Sequence, residues 1–130
     1  MSFEINYHGD EKFIEVTLMT DFNWPVMEKI VPIVSGLIKE HECYRILLDF
    51  RQIKIDLSTV RMYDTPQKLR DEFNKYGVEL AKVKRAFLIT RVDSDAYFFE
   101  TVMLNHGQTF KIFLDRDKAI EWLHQPLAKS

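Results

Sequence analysis

Tyr44-Arg45-Ile46-Leu47-Leu48-Asp49-Phe50-Arg51-Gln52-Ile53-Lys54-Ile55-Asp56-Leu57-Ser58-Thr59-Val60 is the stretch on which the fold turns. Its apolar run, Ile46-Leu47-Leu48, is too short to span a membrane and has the length of a strand buried on both faces. The strand is expected over about Arg45 to Phe50, followed by a connector to Ile55. The stretch then reaches Asp56-Leu57-Ser58-Thr59, where Asp56 or Ser58 can cap a short helix over Leu57 to Met62. A buried strand running into a helix start is where an α/β protein usually places its working site.

Upstream, Phe3-Glu4-Ile5-Asn6-Tyr7 and the residues from Phe13 to Met19 alternate apolar and polar, the period of half-buried strands. His8-Gly9-Asp10-Glu11 between them reads as a turn, with Gly9 able to take a positive φ, so the pair forms a hairpin. Asp21, Asn23 and Pro25 suit a helix start. Val26, Ile30, Ile33, Val34, Leu37 and Ile38 then form one helical stripe, so Trp24 to about Glu40 is an amphipathic helix. Pro32 removes a backbone donor inside it, and a kink or reset is expected near Glu28. His41 is placed to complement the helix's negative end.

Downstream, Thr65-Pro66 opens a helix with Leu69, Phe73 and Tyr76 on its apolar face, ended by Gly77. Arg85 to Thr90 is a second buried strand. Asp93-Ser94-Asp95 begins a helix that Gly107 closes, Thr109 to Phe113 is a further strand, and Asp115 caps a last helix bearing Ala119, Ile120 and Leu123. A hairpin followed by strand–helix alternation implies an α/β fold: one domain over residues 1–130, with a mixed five-stranded sheet covered by about four helices.

Composition narrows the function. The 130 residues are 46% hydrophobic and 29% charged with a formal net charge of -2, and no basic stripe of the kind a nucleic-acid binder carries is present. No segment has the roughly 18 apolar residues of a membrane span. One cysteine, Cys43, allows no disulfide framework and suits a reducing compartment, and the start of the chain has no signal-peptide pattern, so the expected location is cytoplasmic. The 4 histidines, His8, His41, His106 and His124, lack the spacing of a metal site. Neither a metal nor another cofactor is expected, and there is no Gly-rich phosphate loop or nucleophile elbow.

Three groups of residues carry a resemblance to a known family. They are Ile46-Leu47-Leu48-Asp49-Phe50; Asp56-Leu57-Ser58-Thr59; and Asn105-His106-Gly107-Gln108-Thr109-Phe110-Lys111-Ile112-Phe113 with Ala119-Ile120-Glu121-Trp122-Leu123. The sequence resembles the SpoIIAA-like proteins, which are related to STAS domains and anti-sigma-factor antagonists. The resemblance covers element order from Phe3 to Leu123. It implies a bacterial, non-enzymatic regulatory domain that docks a protein partner around Asp56–Val60. Aligned by its aspartate, Ser58 falls on the position that an anti-sigma kinase phosphorylates in that family. Leu57 and Thr59 depart from the family's small polar residue and glycine.

Two further groups are candidates. Asp49, Asp56, Ser58 and Thr59 could together form a partner or anion site, since a helix start favours negative charge; paired Asp49 and Asp56 would also allow acid–base work. Phe22, Trp24, Tyr97, Phe98 and Phe99 exceed what one helix face can bury and suggest an apolar patch. Such a patch would serve self-association, a partner groove, or the mouth of a pocket. The alternative to a protein-interaction domain is therefore a small-ligand or lipid-binding domain with an apolar pocket near the last helices.

Overall fold

The expected hairpin forms from β1 (Phe3–His8) and β2 (Phe13–Leu18), antiparallel in a register running from Phe3 opposite Leu18 to His8 opposite Phe13. The computed structural model describes residues 3–20, 24–53, 65–91, 100–101, 104–105 and 107–125. In the turn, the left-handed residue is Lys12 (φ 54) rather than Gly9. Alternation in β2 sends Ile14, Val16 and Leu18 to one face of the sheet and Phe13 to the other.

Helix α1 (Trp24–His41) is one continuous element with Pro32 inside it. Its buried face is Val26, Met27, Ile30, Val31, Val34, Ser35 and Ile38, rotated from the expected stripe, so that Ile33 is exposed. The helix ends at Glu42, which takes a left-handed φ of 50 while the Cys43 N–H reaches back to the Ile38 carbonyl. This is the Schellman arrangement, here without its usual glycine. The His41 ring stacks on Tyr7 at 3.8 Å, joining the end of α1 to β1. The Cys43 thiol is buried and directed at the Lys12 and Arg45 carbonyls.

Strand β3 (Arg45–Asp49) pairs in parallel with β2, and β4 (Lys84–Leu88) in parallel with β3. Strand β5 (Phe110–Phe113) is parallel to β4, so the sheet order is β1-β2-β3-β4-β5. This is an α/β fold on a mixed five-stranded sheet. Between β3 and β4, helix α2 (Thr65–Lys75) begins at the Thr65-Pro66 pair. It ends at Gly77 (φ 75), where Gly77 and Val78 donate to Asn74 and Phe73, a second Schellman closure with Val78 packed beside Phe73. A 3-10 turn, Leu80–Lys82, leads into β4. Of the helix expected from Asp93, residues Glu100, Thr101, Leu104 and Asn105 are described and helical. Helix α3 (Arg116–His124) is capped by Asp115, whose carboxylate accepts from the Asp117 and Lys118 amides at 2.8 and 3.2 Å.

Two cores result, one on each face of the sheet. The first joins α1 and α2 to Ile14, Val16, Leu18, Ile46 and Phe87. The second lies under α3 and contains Phe13, Leu47, Ala86, Leu88, Ala119 and Leu123, each with no exposed surface. Strands β3 and β4 are therefore covered on both sides, which is why their sequences read as apolar runs rather than alternations. Burying each leucine of this second core contributes roughly 2 kcal/mol. Among the described residues no helix is long and apolar enough to cross a membrane.

Candidate functional site at the carboxyl edge of the sheet

Asp49 closes β3 at the carboxyl edge of the parallel strands, on the face that α3 covers. Its residue is 6% exposed. A carboxylate so placed needs donors, and the sequence supplies them two residues later. Arg51 donates from its backbone N–H and from Nε to Oδ1, both at 3.1 Å, and from Nη2 to Oδ2 at 3.0 Å. The fork of the guanidinium thus spans both oxygens, the strongest geometry for this pair. Burial pushes the Asp49 carboxyl pKa up, but the bonds and charge of Arg51, with a smaller contribution from Arg116, outweigh it and hold the pKa below its ordinary value. The Asp49 side chain is accordingly a fixed anion. Phe50 N–H bonds to the Leu88 carbonyl at 2.9 Å, which extends the β3–β4 pairing by one bond, and Ile53 N–H then reaches back to the Phe50 carbonyl at 3.4 Å in a turn.

A second pair stands on the same face. Glu15, in the middle of β2, accepts from Arg116 at 2.9 Å and lies 2.7 Å from His8 Nε2. Arg116 is the first residue of α3, so this ion pair joins the hairpin to the last helix across 101 positions of sequence. The bond to Glu15 holds the Arg116 pKa above its ordinary value, against an opposing effect of burial, and the nearby Arg51 charge lowers it slightly. Two arginines therefore look out from this edge, with side chains 41% and 35% exposed, each anchored by a nearly buried carboxylate.

At the other end of the strands, α3 is held through its carbonyl groups. Lys84 Nζ donates to the Trp122 carbonyl and, at 2.8 Å, to that of Gln125. Arg45 Nε donates to the Leu123 carbonyl at 2.8 Å. The last carbonyls of a helix lack partners within it, and cations there also meet the negative end of its dipole.

Comparison of the sequence with protein-family models and with curated proteins finds no match in either.

Of the residues singled out in the sequence, Asp49 is placed at this edge, while Asp56, Ser58 and Thr59 lie outside the described residues. So do Phe22, Tyr97, Phe98 and Phe99, and with them most of the suggested apolar patch. Trp24 is half-buried, packed against the first core, with Lys68 Nζ 5.3 Å from its ring. Arg51, Glu15 and Arg116 were not singled out. The signal for Glu15 was present: in the alternation of β2 it faces away from Ile14 and Val16, on a side where Phe13 is fully buried. Arg116 could be found only through the fold. Among the described residues, no group of three or more His, Cys, Asp or Glu side chains is arranged to hold a metal.

Proposed function

We propose that this chain is a regulatory protein-interaction domain of the kind its SpoIIAA-like resemblance implies, docking a protein partner at the carboxyl edge of its sheet. The supporting observation is the pair of anchored arginines there, Arg51 on Asp49 and Arg116 on Glu15. Charges fixed in this way contribute orientation and partner selection at an interface. The Asp49 carboxyl, held ionised with its oxygens spanned by Arg51, is suited to holding the exit of β3 in place rather than to sharing a proton. The edge is also where the chain leaves for residues 54–64, which include Asp56 and Ser58. Ser58 follows Arg51 by seven residues in the chain, and phosphorylation there would add negative charge of the sign that arginine cations attract.

The test combines phosphorylation with charge reversal. Incubation with a candidate anti-sigma kinase and ATP is expected to add one phosphoryl group to the wild-type protein and none to Ser58→Ala. Arg51→Glu and Arg116→Glu are expected to weaken capture of that kinase by roughly ten-fold or more. Unchanged capture by both reversed variants, in folded protein, would refute docking at this edge.

A further inference from the structure

Helix α1 spends its buried face on the first core, and its outer face has a composition that the chain's own packing does not account for. Ile33 is 47% exposed there. Three residues on, Gly36 stands inside a helix of 18 residues, where glycine is a weaker helix former than alanine. No left-handed φ calls for a glycine at this position, and a Cβ there would meet nothing within 4 Å. Open space is thus left beside an exposed isoleucine on the outside of the helix. Pro32 and Leu37, both half-buried, widen the apolar surface on either side. Lys29 and Glu40 close it at its two ends, both exposed, and the nearest cation to Glu40 on its own helix is the His41 ring at 3.8 Å.

These positions are arranged about a centre. At 3.6 residues per turn, Lys29, Ile33, Gly36 and Glu40 fall on one stripe about 60° wide. Its midpoint lies between Val34 and Ser35. Ile33 and Gly36 are equally far from that point, and so are Lys29 and Glu40. A two-fold rotation through it, perpendicular to the helix, brings up a second copy with the same stripe facing the first and running the other way. Lys29 of each copy then stands level with Glu40 of the other, and Ile33 of each level with Gly36 of the other. Opposite charges meet at both ends, and the isoleucine side chains enter the space that the glycines leave at the centre. A parallel arrangement would set Lys29 against Lys29 and Glu40 against Glu40, so the charges select the antiparallel one.

We propose that this face of α1 is the interface of a homodimer, in which two copies of the chain pack α1 against α1, antiparallel, about that two-fold axis. The same patch serves both copies, as an isologous interface requires. One helix pair with charged ends is a small contact, so the association is weak and depends on protein concentration. The interface lies on the opposite side of the sheet from α3 and uses neither Arg51 nor Arg116, so it is independent of the partner-docking reading.

Sedimentation velocity on the whole chain, over concentrations up to about 1 mM, tests this. The wild type is expected to shift from the mass of one chain toward that of two. Ile33→Asp and Gly36→Gln are each expected to weaken dimerisation at least about ten-fold, since each change enters the interface twice. The Tm of dilute protein reports that these variants fold, and for Gly36→Gln it should be unchanged or higher. Lys29→Glu and Glu40→Lys are each expected to weaken self-association roughly ten-fold by setting like charges together. An equimolar mixture of those two variants should recover dimer to within about three-fold of the wild type, because each contact between them again joins opposite charges. A wild type that stays monomeric at the highest concentration, self-association unchanged by Ile33→Asp and Gly36→Gln, or a mixture that associates no more tightly than the single variants would each overturn the proposal.

Discussion

Lys84 and Arg85 are neighbours on one strand, carry the same charge and are 5% and 3% exposed, yet the fold partners them very differently. The pleat of β4 turns Lys84 toward α3, where the helix's terminal carbonyls need donors. It donates to the carbonyls of Trp122 and Gln125 and sits 4.2 Å from the centre of the Trp122 ring. Arg85, one residue on, points into the layer of α1 and α2 and finds a single amide oxygen. Burial lowers both pKa values, with Arg45 and Lys111 adding to the effect at Lys84. The difference teaches that burial alone does not tell whether a charge supports a fold. A helix C-terminus makes a buried cation a structural bond, whereas a lone amide leaves most of its desolvation uncompensated.

The largest effect expected from breaking this comparison is at Lys84. Lys84→Met removes two charge-assisted hydrogen bonds, to the carbonyls of Trp122 and of the C-cap residue Gln125, at a cost of about 3 kcal/mol by urea unfolding. Asp49 is the anionic counterpart of Lys84, a buried charge that the fold does partner. Asp49→Asn is expected to cost about 2 kcal/mol. Because the folded pKa of Asp49 is lowered, its contribution is present above the unfolded value near about 3.9 and is lost as pH falls through the folded value. The Tm of the wild type should therefore fall more steeply than that of Asp49→Asn below roughly pH 4.

Asp115→Ala removes the cap at the opposite end of α3, and a loss of about 1 kcal/mol is expected. It also sharpens the contrast between the two cations. Combined with Lys84→Met it should be non-additive by more than about 0.5 kcal/mol, since both act on one helix; combined with Arg85→Met it should be additive within that margin. The smallest effect is that of Arg85→Met alone. Its stability should lie within about 1 kcal/mol of the wild type and on the more stable side, since an apolar side chain replaces an incompletely partnered charge. A destabilisation as large as that of Lys84→Met would erase the distinction.

Much of the fold was readable from local pattern. Alternation located β1 and β2, and the short run around Leu47 marked a strand covered on both faces. Gly77 and Gly107 adopt the left-handed φ values, 75 and 74, that their places at helix ends suggested. Other features gave no such sign. Glu42 takes a glycine-like conformation, held by the Cys43–Ile38 bond and by the packing that follows it. Ile33 is periodic with Val26 and Ile30 but exposed, while Met27 and Val31 are buried. An amphipathic stripe is wide enough for several centres, and the surface it meets chooses among them. At the site, Asp49 stood out as a carboxylate ending a buried strand. Its partner Arg51 was two residues away and unrecognised, because two-residue spacing does not tell whether an arginine turns back or out to solvent.

What the sequence by itself determined is the order of elements, their approximate ends and the strands that must be buried, because these follow from side-chain period, caps and turn chemistry acting over a few residues. The tertiary structure decided which charges are partnered. Glu15 meets Arg116 and Lys84 meets the end of α3 only because the sheet places the last helix over β3 and β4. The same pleat sends Arg85 to the other side, where among the described residues it meets an amide oxygen rather than a carboxylate. Coulombic and hydrogen-bond energies depend on distance in space, and residues far apart in the chain acquire that distance only when the layers close.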